Sequence, residues 1–177
     1  MSSHPRWTSV SMPYVTGVPG DAWAAEAAAQ GGTGTQRLLE VGEKPAPEPV
    51  AAALDLQAGD PVVLRSRLML LDDQPVERVE SYYPASIARG TRLAETRKVP
   101  GGAVAHLTTL GYPSRRIVED VTARLASPDE AEEFGLQPPS CIVQISRVIL
   151  SDHDLPVEAS IMTAPADNRR LRYEITP

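Results

Sequence analysis

Apolar and polar positions along the chain mark two hairpins. From Pro61 to Leu71, Leu64, Ser66, Leu68 and Leu70 fall on one strand face, and Val63, Arg65, Arg67 and Met69 on the other. Both faces are mostly apolar, which predicts a strand covered on both sides. Asp72-Asp73-Gln74 is a turn, and Pro75 to Tyr83 returns as the second strand. Cys141 to Leu150 and Leu155 to Thr163 predict another hairpin of the same kind. The first reads Val62-Val63-Leu64-Arg65-Ser66-Arg67 and, past its turn, Pro75-Val76-Glu77. The second reads Ile142-Val143-Gln144-Ile145-Ser146-Arg147, then Pro156-Val157-Glu158. The correspondence points to an internal duplication around a pseudo-twofold axis.

Further strands are predicted over Gln36–Val41, Arg115–Leu125 and Leu171–Ile175. Asp21 caps a helix from Ala22 to Gln30 that Gly31-Gly32 stops. Pro47-Glu48-Pro49 opens one that runs through Leu54, and Gly101-Gly102 precedes another over Ala103–Leu110. Ser127-Pro128-Asp129-Glu130 is a capping box for a helix that ends at Phe134 before Gly135. Pro84 to Thr96 reads as a loop with helical turns, and residues 1–20, rich in Pro and Gly, as an extended arm. Short turns make the sheet mainly antiparallel, and helices between hairpins make the fold class α+β. The expected division is a tail over residues 1–13 and one domain over 14–177.

A length of 177 residues suits one domain with a sizeable core. Net charge of -6 gives no general attraction to phosphates, which argues against autonomous DNA binding. Cys141 is the single cysteine, so no intrachain disulfide is possible; beside Ile142 and Val143 it is expected to be a buried thiol. The start of the chain carries no apolar signal region, and no apolar run reaches the roughly 18 residues of a membrane span. The expected location is the cytoplasm, with no membrane contact.

Candidate chemistry centres on arginine. Arg65 and Arg67 share a covered strand face, and Arg147 sits similarly among Val143, Ile145 and Ile149. A buried charge needs a partner, and guanidinium grips carboxylate or phosphate through a planar fork of donors. Either these arginines line an anionic-ligand pocket, or they pair with Glu77, Glu80, Glu119, Asp120 or Glu158 inside the sheet. Gly101-Gly102 ahead of a helix offers backbone donors or a plain flexible entry. Tyr82, Tyr83 and Tyr112 are pocket-lining or core residues. His4, His106 and His153 have no metal-ligand spacing, and no nucleotide-binding or nucleophile-elbow pattern is present. No catalytic residue, metal or cofactor is assigned.

Several stretches, in order, resemble one family. They include Gly20-Asp21-Ala22-Trp23, Leu39-Glu40-Val41-Gly42, Gly59-Asp60-Pro61-Val62-Val63 and Arg65-Ser66-Arg67. They continue with Ser81-Tyr82-Tyr83-Pro84, Gly111-Tyr112, Glu119-Asp120-Val121-Thr122-Ala123-Arg124 and Leu155-Pro156-Val157-Glu158. Residues 14–175 together resemble the UTRA domain of the HutC subfamily of GntR-type transcription regulators, most like its actinobacterial branch. The resemblance implies a chorismate-lyase-like α+β fold that binds a small anionic or polar organic effector. It also implies a homodimer that spaces two winged-helix domains; such a domain needs roughly 60–70 residues ahead of Pro13, where this chain has a short tail. Family ligands are contacted at positions matching Arg65, Arg67, Gly102 and Glu158. With Ser81, Tyr83, Glu119 and Arg147 beside them, these form the expected ligand-binding set. The sequence departs from the family where a glutamate is common at Val79 and a serine at Gly102. The alternative function is a stand-alone lyase-like or cyclase-like enzyme, using the same arginines with Glu119 or Glu158 as acid–base.

Overall fold

The computed structural model describes residues 7–9, 11–15, 20–167 and 169–173. Turn chemistry sets its first hairpin: Asp72 and Asp73 hold φ of 49° and 63°, the left-handed pair a two-residue hairpin loop requires. Along the chain the elements are β1 (Trp7–Ser9), α1 (Met12–Val15), α2 (Ala22–Ala29), β2 (Gly34–Pro45), α3 (Glu48–Ala53), β3 (Pro61–Leu71) and β4 (Gln74–Pro84). They continue with α4 (Ala85–Ala88), a 3-10 turn at Arg92–Ala94, α5 (Ala103–Thr109), β5 (Arg116–Leu125), α6 (Pro128–Phe134) and β6 (Cys141–Leu150). A 3-10 turn at Asp152–Asp154, β7 (Pro156–Pro165) and β8 (Arg169–Leu171) complete them.

Six strands form one antiparallel sheet in the order β2-β3-β4-β7-β6-β5. This is an α+β fold built from one unit used twice: β2-α3-β3-β4, then β5-α6-β6-β7. The halves meet at β4 and β7, and each return strand bulges at the same place. Met69 faces Glu77 while Leu70 faces Pro75, leaving Val76 over. Ile149 faces Glu158 while Leu150 faces Pro156, leaving Val157 over. The repeated Pro-Val-Glu of the sequence is therefore the mark of a bulge that bends each hairpin and buries its extra valine.

Both faces of the central strands β3, β4 and β7 are covered, while β2 and β5 stay largely open. On the outer face, α3 sets Val50, Ala51 and Leu54 against Val62, Leu64 and Tyr82, and α6 sets Phe134 against Leu68 and Ile142. On the inner face the apolar contacts form two islands. One gathers Val63, Tyr83 and Ile149 under α4, the Arg92–Ala94 turn and α5. The other gathers Met69, Val79, Ile145 and Met162 under Trp23 and Ala27 of α2. A cavity lies between them. Helix α6 starts on the capping box expected of Ser127 and Glu130 and ends on Gly135 in the left-handed conformation.

Three expectations need correction. The segment before Gly20 is not simply extended: α1 is helical, Val15 is buried in the first inner island, and β1 pairs in parallel with β8. The closing strand lies at Arg169–Leu171 rather than further on; residues 174 and 175 of the expected strand lie outside the described residues. Cys141 is exposed. Ile142 takes the buried place against Phe134, and strand alternation turns Cys141 to the opposite face, across from the exposed Leu125.

Helix α2 approaches β2 so closely that only glycine fits at position 34. A methyl group there would lie 2.8 Å from Ala27 Cβ, 2.9 Å from Trp23 Nε1 and 2.9 Å from Trp23 O. The Trp23 ring cannot swing away freely, because its N–H donates to the carbonyls of Thr35 and Leu70 at 2.9 and 3.2 Å. Gly34→Ala is expected to destabilise the fold by about 1–3 kcal/mol, the usual cost of overpacking. Urea denaturation should show a lower midpoint at unchanged slope; an unchanged midpoint would mean that α2 is free to move off the sheet.

Candidate functional site

Between the two inner islands a row of polar side chains crosses five strands. Strand pairing sets Arg65 beside Ser81, Ser81 beside Ser160, Ser160 beside Arg147, and Arg147 beside Glu119. Above this row is a cavity of about 690 Å³, within the range usual for small-molecule sites. Strands β3, β4, β6 and β7 supply its floor. The N-terminal segment (Ser11, Pro13, Tyr14), the start of α2 and the loop leading into α5 supply its walls.

The arginines of the floor are held in three different ways. Arg65 is buried and donates to the carbonyls of Leu93, Glu95 and Arg97 at 2.9, 2.7 and 2.7 Å. It is a clamp on the loop ahead of α5. Burial pulls its pKa below the ordinary arginine value, and the charge of Arg67 adds to the pull. Arg147 is paired: its Nε donates to Glu119 at 2.5 Å, and the other carboxylate oxygen of Glu119 accepts from Ser11 at 2.8 Å. Arg67 donates to Ser81 Oγ at 3.0 Å, while its buried Nε has no partner. Among the described residues, no carboxylate forms an ion pair with it.

The hydroxyls carry this polarity across the sheet. Ser81 Oγ lies 2.9 Å from Ser160 Oγ, and Ser160 donates to Glu158 Oε1 at 2.6 Å. Because Ser81 accepts from Arg67 and Ser160 donates to Glu158, the proton between the serines belongs to Ser81. The chain runs in one direction from guanidinium to carboxylate. The second oxygen of Glu158 is buried without a partner. Nearby, Glu77 is paired with Arg169 of β8, and Lys98 with Asp21 at the start of α2, closing one wall of the cavity. Burial would raise the Asp21 carboxyl, but hydrogen bonds from Lys98 and the Ala24 N–H hold it below the usual carboxylate range.

The description of the UTRA domain family matches residues 29–170, most of the chain. The chain belongs to the UTRA domain family. An uncharacterized HTH-type transcriptional regulator of Streptomyces coelicolor, SCO4628, is 32% identical over 115 residues, covering 63% of this chain and 43% of that protein. The chain spans about half the length of the curated relatives it matches. Its fold is that of the effector domain of PhnF from Mycobacterium smegmatis, with a TM-score of 0.75 at 22% identity, over 90% of this chain and 98% of that one. The C-terminal domain of the histidine utilization repressor of Pseudomonas syringae pv. tomato superposes with a TM-score of 0.69 at 25% identity. That match covers 81% of this chain and 99% of that one. The curated relatives it matches are named as HTH-type transcriptional regulators.

In this UTRA domain the cavity brings together Arg65, Arg67, Ser81, Gly102, Arg147 and Glu158 from the expected set. It leaves out Tyr83, which is wholly buried in the first inner island with Val63 and Leu93. Burial, and then the charge of Glu158, push its phenol up, so it stays neutral. Glu119 does not line the cavity; its two oxygens hold Arg147 and Ser11, which also leaves it poorly placed for acid–base work. Gly102 lies on the wall at φ 89°, yet its own N–H already donates to Val99 at 3.0 Å. Sequence reasoning missed Ser160. Alternation puts it on the Glu158 face, but only the β4–β7 register sets it against Ser81.

The two neighbouring arginines should therefore respond differently to loss of charge. Arg65→Met strips three loop carbonyls of their donor and is expected to cost more than about 2 kcal/mol. Amide exchange should accelerate across residues 92–98. Arg67→Met removes a guanidinium that lacks a carboxylate and is expected to cost less than about 1 kcal/mol. Equal losses in the two variants would contradict the division of roles.

Proposed function

We propose that this chain is the effector-sensing and dimerising part of a GntR/HutC-type transcription regulator. It takes a small anionic or polar organic effector in the cavity over the polar row, and it acts in the cytoplasm. DNA is reached only through a winged-helix domain outside these residues. The observation that carries this reading is Arg67: a guanidinium facing the cavity with a buried, unpartnered Nε and no carboxylate ion pair among the described residues. An acidic ligand supplies the missing charge through a charge-assisted hydrogen bond. Coupling to the rest of the regulator has a route in the same walls. Ser11, Pro13 and Tyr14 border the cavity, and the Lys98–Asp21 pair joins the loop ahead of α5 to α2. Filling the cavity then bears directly on the segment that precedes the domain.

Support for the dimer comes from β5. It is an edge strand, and Val118, Val121 and Leu125 are 40, 46 and 66% exposed along it. An open apolar edge is a hazard unless another chain covers it, and a second copy does so symmetrically. Sedimentation at micromolar concentration should give a dimer, and Val121→Glu with Leu125→Glu a folded monomer. A folded wild-type monomer would remove the dimer from the reading.

Native mass spectrometry of the purified chain should find a bound small acid, and calorimetry with that compound should give a reference affinity. Arg67→Ala should weaken it more than tenfold, a loss above about 1.4 kcal/mol. If affinity is unchanged in a folded Arg67→Ala protein, the arginine is structural and the site is misassigned.

A further inference from the structure

The duplication supplies an internal control for the site. Each half carries an arginine on its first hairpin strand and a glutamate just after the bulge: Arg67 with Glu77, and Arg147 with Glu158. In one copy of each, the protein provides the opposite charge. Arg147 has Glu119 beside it on β5, and Glu77 has Arg169. In the other copy it does not. Arg67 has Leu38 beside it on β2, where its counterpart has the glutamate. Among the described residues Glu158 has no cationic partner; Ser160 satisfies one oxygen and leaves the other buried and open. Glu158 is 7% exposed, so its charge is not answered by bulk water.

Building on the effector reading above, we infer that the ligand is bipolar. It carries an acidic group that Arg67 takes and a protonated nitrogen that Glu158 takes. A hydroxyl donor at Glu158 would fill the lone pair without answering the charge, and hydrogen bonds between ions are the stronger kind. Arg65, two positions along the same strand, adds its field to the acidic pole. The spacing follows from the hydroxyls between Arg67 and Glu158. Arg67 donates to Ser81 at 3.0 Å, Ser81 to Ser160 at 2.9 Å and Ser160 to Glu158 at 2.6 Å, so the guanidinium and the carboxylate stand roughly 8 Å apart at most. A hydrogen bond at each end leaves roughly 3 Å between the ligand's own charges. Between the poles the floor is the Ser81 and Ser160 hydroxyls, and Val79, Ile145 and Met162 border it on the Arg67 side, which suits a short body with one apolar flank.

Calorimetry on the full chain tests this with matched probes. They are 3-aminopropanoate, 4-aminobutanoate and 5-aminopentanoate, the alkanoates and alkylamines of equal length, and glucose 6-phosphate as an acid bearing hydroxyls. At least one aminoalkanoate should bind at least tenfold more tightly than its alkanoate, its alkylamine and the sugar phosphate. Glu158→Gln should cut its preference over the alkanoate to below threefold while alkanoate affinity holds or rises. Arg67→Gln should lose both. If an alkanoate or the sugar phosphate binds as tightly as every aminoalkanoate, the bipolar ligand is overturned and the effector site stands. If no probe binds at millimolar concentration, the bipolar ligand is overturned too, and a copurified acid found by native mass spectrometry decides whether the effector site survives. The wild-type comparison decides between these outcomes even if a variant fails to fold.

Discussion

Charge removed from water must be answered, and the inner face of this sheet is organised by that demand. A polar row from Arg65 to Glu119 runs between two apolar islands that would otherwise merge into one core. Its members are satisfied in turn by backbone carbonyls, by a carboxylate and by hydroxyls. The roof is arranged around the same need. The Arg92–Ala94 turn and the loop after it present their carbonyls to Arg65, so a buried guanidinium shapes the wall of the cavity it borders. Without that row the islands would close over the space, and there would be no pocket.

Duplication explains why the site has the form it does. A β-α-β-β unit used twice yields a sheet whose halves meet at β4 and β7, where Ser81 and Ser160 touch. Symmetry alone would give paired or unpaired charges in both halves. The insertion of α4, the 3-10 turn and α5 between the units breaks it, as do the segments that flank them. Arg169 arrives from β8 to meet Glu77 on the floor, and Ser11 from beside α1 to meet Glu119 on β5. What is left open is one end of a hydrogen-bonded chain at Arg67 and the other at Glu158. The asymmetry, rather than the repeated unit, defines the pocket.

Much of the framework is legible in the linear pattern. The β3 and β6 boundaries, the capping box at Ser127, the Pro-led helix after Pro47 and the resemblance of the hairpins all follow from local chemistry. Arg67, Ser81 and Glu158 could be nominated because strand alternation and family resemblance put them on the hairpin faces. Tyr83 was harder, since alternation gives its face but not whether helices close over it. Cys141 shows the same limit: an apolar neighbourhood in sequence includes residues on both faces, and only one of them is covered here.

By itself, the sequence determined the strand and helix periods, the turns, the doubled hairpin and the family. These depend on neighbours within a few residues, or on their order along the chain. Tertiary structure alone decided which charges are answered. Whether Arg67 meets a carboxylate depends on the residue β2 places beside it, and whether Glu77 is free depends on a segment 92 residues away in sequence. Such pairings are set by strand order and register between distant segments. A hydrophobic pattern shows which face a side chain takes, but not what stands opposite.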